Sequence, residues 1–324
     1  MKFSNSLFFA LCAATLQLSS YAADTQPYPS RPIRIVVPYL PGGAGDVVAR
    51  TIAPKMGESL GQQTYIDNRP GGATKIGTEA AARAPGDGYT LFMATPASAV
   101  NVSLYTEMPY DLVRDFAPVV LIDISPQVLI VHPSLPVKSV KDLITLGKSR
   151  PGQLTFASSG IAGSVHLAGE LFKSMARIDV VHIPYKGFAQ ALTDLLSGQV
   201  TMNFSTLQSA LPHIKANRIR ALAVTSARRS ATQPDLPTIA EAALPGYEMV
   251  VWHALLAPAA TPPEIIHRLN GEVLKALKLA DVRRQLESVG VELVGSTPAE
   301  LGAYVKSEIA KYARLVKNAN IRPE

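Results

Sequence analysis

The 324-residue chain is 47% hydrophobic and only 17% charged, with 22 glycines, 25 prolines and a formal net charge of +6. A chain this rich in aliphatics and poor in charge is not disordered, and glycine and proline without a fixed period exclude collagen-like repeats. At roughly 150 residues per domain the length suggests two domains, and the thin basic surplus, with no basic block, argues against a nucleic-acid partner.

The first segment predicts export. Lys2 precedes an apolar run from Leu7 to about Leu18, and the small residues of Ser20-Tyr21-Ala22-Ala23 follow. That is the layout of a secretory signal peptide over residues 1–23, cut after Ala22 or Ala23, with an apolar run too short for a comfortable membrane span. Cleavage removes Cys12, the single cysteine of the chain, so the mature protein has neither a disulfide nor a cysteine-based metal site. Leu11 before Cys12 is too large for a usual lipoprotein signal. The expected location is the periplasm.

The mature chain then alternates strand-like and helix-like pattern. Ile33–Val37 reads as a buried strand, residues 46–60 as a helix, and Thr64–Ile66 as a strand. Ile76–Ala84 reads as a helix and Tyr89–Ala94 as a strand, which predicts βαβ units on a mostly parallel sheet. Past Pro118, two short strands are expected at Val119–Ile122 and Val128–Val131, separated by a Ser125-Pro126 turn. Helices at Val140–Lys148, Ser164–Met175, Phe188–Leu196 and Leu207–Ala216 alternate with strands at Leu154–Ala157, Val180–Ile183, Val200–Phe204 and Ile219–Val224. Near the C-terminus, Thr261-Pro262-Pro263-Glu264 and Thr297-Pro298-Ala299-Glu300 each read as an N-cap, a first-turn proline and a reciprocal glutamate. The pattern predicts an inserted α/β lobe, residues 124–224, flanked by 24–123 and 225–324, which form the other lobe together. Two chain crossings between the lobes make a hinge and a cleft.

Two strand-to-helix loops are the candidate ligand sites. Pro38 to Asp46 contains Tyr39, Gly42, Gly43 and Gly45, and Asp46 opens the helix that follows. Ser158-Ser159-Gly160-Ile161-Ala162-Gly163-Ser164 leads into a helix that carries His166. Clustered glycines let backbone amides approach a ligand, and a helix N-terminus adds about half a positive charge, which suits a carboxylate. Neither loop is a phosphate-binding or dinucleotide fingerprint. Taken singly, each is equally a capped turn; as a facing pair they make an anion clamp. Thr95, Ser98 and Asn101, then Tyr185 and Lys186, then Ser205, Thr206 and Gln208, also follow strand ends. Trp252 reads first as core, and Arg69 as a structural clasp. The histidines at 132, 166, 182, 213, 253 and 267 lack metal-like spacing, and neither a nucleophile elbow nor a zinc-protease helix is present. No catalytic, metal or cofactor site is expected.

At this point the chain resembles the Bug-type, or TctC-like, extracytoplasmic solute receptors of tripartite tricarboxylate transporters. The resemblance spans the mature chain and rests on Tyr28-Pro29-Ser30-Arg31-Pro32-Ile33-Arg34, Val37 to Gly43 with Asp46, Asn68-Arg69-Pro70-Gly71, and Gly86-Asp87-Gly88-Tyr89-Thr90-Leu91. Asp115-Phe116-Ala117-Pro118, Ser158-Ser159-Gly160, Gly163-Ser164, His166-Leu167-Ala168, Pro184-Tyr185-Lys186-Gly187 and Pro234-Asp235-Leu236-Pro237-Thr238 continue it. It implies a two-lobed type II periplasmic-binding-protein fold with a two-strand hinge, a small organic acid as ligand, a membrane transporter as partner and a monomeric receptor. It also implies that the loops at 39–46 and 158–164 are the two halves of a carboxylate clamp. The chain departs from the family pattern at Gly72-Ala73-Thr74-Lys75, at His253-Ala254 after the tryptophan, and at Tyr39 in place of phenylalanine.

Two other readings fit the residues less well. A secreted hydrolase would use Ser158 or Ser164 with His166. A ligand-sensing domain of a transcription regulator shares the fold, but lacks the export signal and carries a helix-turn-helix.

Overall fold

The computed structural model describes residues 28–158, 160–185 and 187–323. The expected signal peptide, Ser159 and Lys186 lie outside the described residues. In chain order the elements are β1 (Ile33–Val37), α1 (Ala44–Leu60), β2 (Thr64–Asn68), α2 (Lys75–Ala82), β3 (Thr90–Ala94), α3 (Pro96–Leu104) and β4 (Phe116–Val131). Then come α4 (Val140–Ser149), β5 (Leu154–Ser158), α5 (Ser164–Ala176), β6 (Val180–Pro184), α6 (Phe188–Leu196), β7 (Met202–Thr206), α7 (Leu207–Lys215) and β8 (Arg220–Val224). The chain closes with α8 (Ile239–Ala242), β9 (Val250–Pro258), α9 (Pro263–Lys278), α10 (Ala280–Ser288), β10 (Glu292–Leu293) and α11 (Pro298–Asn318).

The strands form two sheets that share β4. The first runs β2-β1-β3-β9-β4, with β10 beside β4, and the second runs β4-β7-β5-β6, with β8 also on β4. The βαβ units pair in parallel, β1 with β2 and β3, and β5 with β6 and β7, as their crossover helices require. The sheets are nevertheless mixed, because β9 is antiparallel to β3 and β4, and β4 is antiparallel to β7 and β8.

β4 corrects the expectation of two short strands with a turn. It is one 16-residue strand that continues through Ser125 and Pro126. Pro126 is the last residue in register with β9, opposite Val250, and Gln127 is the first in register with β7, opposite Thr206. The missing proline N–H therefore falls where the strand passes from one sheet to the other, a place where no ladder bond is lost. The return crossing runs beside it: Thr225 N–H donates to Gln127 O, Gln127 N–H to Thr225 Oγ1, and Met249 N–H to Thr225 O.

The cores follow the sheets. Ile33, Ile35, Val48, Ile52 and Met56 pack with Leu255, Leu269 and Val273 on the first sheet. Val128, Ile130, Ala191, Leu195 and Val224 pack on the second. A third apolar cluster joins them behind the hinge, from Phe92, Trp252 and Tyr312 to Phe172, Phe204 and Tyr247. Trp252 is fully buried and its indole N–H donates to Glu308, so it is a core residue.

Candidate functional site

A cleft of about 810 Å³ lies between the two sheets, lined by residues 39, 43–45, 72–75, 95–97, 101 and 104–105 from the first and by 161–164 from the second. Val251 and His253 of β9 form its base, and Pro323 reaches its edge. Ligands of open α/β sheets sit at such crevices, beyond the carboxyl ends of parallel strands, and β1 and β5 end there.

Each of these strands delivers a helix N-terminus to the cleft. α1 starts after Gly43 and α5 after Gly163, both glycines in extended backbone at φ −73° and −69°, and neither helix has a side-chain cap. The first intrahelical bonds are Val47 N–H to Gly43 O and Leu167 N–H to Gly163 O. The amides of Ala44 and Gly45, and of Ser164 and Val165, have no partner among the described residues. A serine or aspartate cap would have consumed such donors; glycine leaves them to the cleft. α3 adds a third uncapped start, with Thr95 as N-cap and Pro96 at the first position.

The loops are held in place by groups behind them. Asp46 is buried and takes hydrogen bonds from the Gly42 N–H, Arg50 Nε and Asn68 Nδ2 at 2.8 to 2.9 Å. Burial opposes its ionisation, but the bonds from Arg50, Gly42 and Asn68 outweigh it and hold the carboxyl below the usual range. In the second loop, Ala162 N–H donates to His166 Nδ1 at 2.9 Å. Ser158 Oγ lies 2.7 Å from His182 Nε2, not against His166, and also donates to Gly160 O. The two imidazoles stack at 4.1 Å beside Phe156. Burial lowers both: His166 to about 3, with His182 and Lys173 adding repulsion, and His182 to about 4, with Lys173 adding to it.

The structure thus brings Tyr39, Gly43, Thr95, Asn101, Gly163 and Ser164 together in the lining. Tyr39 Oη meets Thr95 Oγ1 at 2.8 Å, and burial raises the phenol, so it stays a neutral hydroxyl. Ser164 Oγ accepts from Gln127 Nε2 of the hinge strand at 3.2 Å. Gly42, Asp46, Ser158, Gly160 and His166 stand behind the lining as supports. Ser98 and Ser205 are fully buried, and Tyr185 donates to Asp194, away from the cleft.

The sequence did not single out Pro96, Ala97, Leu104, Tyr105 or Val251 as lining. Their contribution is mostly backbone or apolar surface, and the α3 helix that carries three of them, Pro96, Ala97 and Leu104, has little amphipathic pattern to reveal it. The departures at Lys75 and His253 both fall in the lining, and Lys75 Nζ stands 3.8 Å over the Tyr105 ring. The described lining contains no acidic side chain, so the field in the cleft favours anions. Among the described residues no cluster suits a metal ion, and no helix is long and apolar enough to cross a membrane.

Residues 48–321 match the model of the tripartite tricarboxylate transporter family receptor, TctC. The chain belongs to this family. It is 40% identical over 299 residues to a protein in the tcbD-tcbE intergenic region of Pseudomonas sp. strain P51, covering 92% of this chain and 89% of that protein. Among solved structures it is similar to Rpa4515 of R. palustris with adipate, at 40% identity and TM-score 0.75, covering 92% of this chain and all of that one. It is also similar to MatC of Rhodopseudomonas palustris with bound malate, at 30% identity and TM-score 0.72, covering 89% of this chain and all of that one. Members of the family are periplasmic solute-binding receptors, not enzymes, and the fold is the two-lobed one of that class.

Proposed function

We propose that this receptor captures a small organic carboxylate between its lobes and delivers it to the membrane subunits of a tripartite tricarboxylate-type transporter. The observation that carries the reading is the pair of uncapped helix N-termini, α1 and α5, with unpaired amides in one cleft. In the bound state the amides of 44–45 and 164–165 grip a carboxylate, and Tyr39, Thr95, Asn101 and Ser164 set the orientation of the rest. The lobes comprise 24–123 with 225–324, and 124–224. The precursor is exported by residues 1–23, cut after Ala22 or Ala23, and the mature receptor acts as a monomer. The relatives with adipate and malate give the first probe lengths.

The test is calorimetry and thermal shift with a panel of mono-, di- and tricarboxylates, aromatic acids and amino acids, together with the mass of any copurifying ligand. Saturable binding of one acid class supports the reading. A protein stripped of ligand that ignores the whole panel overturns it.

A further inference from the structure

The base of the cleft holds a buried pair that the two helix ends do not account for. His253 of β9 faces Asp123 of β4 across the ladder, with Nδ1 2.9 Å from Oδ1. Asp123 is fully buried and its Oδ2 has no hydrogen-bond partner among the described residues. His253 is 2% exposed, and that remnant opens into the cleft. Its Nε2 lies beside the first turn of α1: a Cβ built on Gly45 would stand 3.6 Å from it and 3.3 Å from Cδ2.

A buried carboxylate needs a compensating donor, and among the described residues Asp123 has His253 alone. Nδ1 is therefore turned to Asp123, and Nε2 is the nitrogen aimed at the cleft. The other elements packed on β9 leave little to compete with it. β3 and α3 carry no titratable side chain, and Asp46 of α1 is engaged by Gly42, Arg50 and Asn68. On α2, Glu79 pairs with Arg83, and Lys75 lines the same cleft. With a carboxylate bound beside Gly45, Nε2 has an acceptor within reach while Nδ1 stays against Asp123.

We infer that His253 is a ligand-binding residue of this receptor, donating through Nε2 to the carboxylate held at the α1 N-terminus, and that Asp123 is the positioning residue that orients it. The inference rests on the carboxylate reading above. It adds one side-chain donor to the backbone amides.

The experiment compares wild type, His253→Gln, His253→Phe and Asp123→Asn by calorimetry, using the tightest acid of the panel and checking folding by melting temperature. Loss of a charge-assisted hydrogen bond predicts about a 10- to 100-fold weaker Kd in His253→Phe. Gln keeps an N–H near the Nε2 position, so His253→Gln recovers part of that loss. Asp123→Asn weakens binding about tenfold and, in the complex, changes the ring nitrogen NMR signature of His253, which a merely structural aspartate would leave in place. A folded His253→Phe within twofold of wild type, or His253→Gln as weak as His253→Phe, overturns the assignment. Wild type that binds no acid at all fails at the first arm and overturns the carboxylate reading itself.

Discussion

At the residue scale, the decisive choice is glycine at two helix N-caps. A capping side chain satisfies the amides of its own first turn, so a helix that caps itself offers less to an anion. At Gly163 the backbone, φ −69°, is open to any residue, and an added Cβ would meet nothing nearer than Gly160 O at 3.5 Å. Gly163→Ser should therefore fold normally, since serine and glycine caps differ by only a few tenths of a kcal/mol. Its hydroxyl will take an amide of α5 in place of the ligand, and affinity for the bound acid should fall about tenfold, the worth of one hydrogen bond to a charged group. Calorimetry reads this directly; unchanged affinity at unchanged stability would remove α5 from the clamp.

The stacked histidines make a second residue-level prediction, with a sign fixed by burial. Both rings are lowered, from an ordinary value of 6.5 to about 3 for His166 and about 4 for His182. Between those values and about 6.5 the unfolded chain binds protons that the native rings refuse, so native stability falls as the pH drops through that window. The full stability is present above about 6.5. Thermal melts from pH 7.5 to 4 should show this decline, and His182→Gln should flatten part of it relative to wild type.

At the scale of elements, two sequence motifs of the same form have different fates. Thr297 caps α11 with the full reciprocal box, its hydroxyl accepting from Glu300 N–H and the Glu300 carboxylate accepting from Thr297 N–H. Thr261 does not cap α9: the cap is Pro262, and the Thr261 hydroxyl is buried without a partner among the described residues. The extra proline at 263 shifts the helix start by one residue and carries the hydroxyl out of reach. Thr297→Ala should then cost about 1 kcal/mol, whereas Thr261→Val, which removes an unsatisfied polar atom, should be neutral or stabilising. Urea titrations of the two variants separate the motifs. The same contrast explains what the sequence made legible. Periodicity found the crossover helices and parallel strands, because each buries one face on a sheet. It split β4 in two at Pro126, since a proline inside a strand reads as a break until the partner strands are known. It missed α3, whose residues Pro96 to Leu104 are apolar or small almost all round. In the site, glycine loops were legible as backbone donors, Asp46 as a helix-start residue and His166 as a support of its own loop, while Ser158 was legible only as a polar residue at a strand end. The Asn68 bond to Asp46 and the His182 contact of Ser158 come from neighbouring strands and depend on the fold, whereas Gly42, Arg50 and Ala162 are local partners.

At the scale of the molecule, a cleft between two lobes makes binding and shape one equilibrium. In the proposed clamp the ligand would reach the amides of both α1 and α5 only when the lobes approach, and would favour the closed form by the free energy of the second set of contacts. β4 and the 225–249 return are the crossings that must absorb the motion, and their hydrogen bonds at Gln127, Thr225 and Met249 hold the two limbs side by side. Ser164, bonded to Gln127, ties the α5 end of the clamp to this hinge. Two measurements should therefore move together when the bound acid is added. The radius of gyration from small-angle scattering should fall, and the melting temperature should rise, with about 2.7 kcal/mol of added stability at a ligand concentration of 100 times Kd. Gly45→Leu tests this coupling, because its side chain meets His253 and blocks the α1 end of the cleft. That variant should melt lower, because the added side chain crowds the buried His253 ring, and should lose both the compaction and the thermal shift. A ligand that stabilises wild type without compacting it would place the binding contacts on one lobe alone, and the two-sided clamp would have to be abandoned.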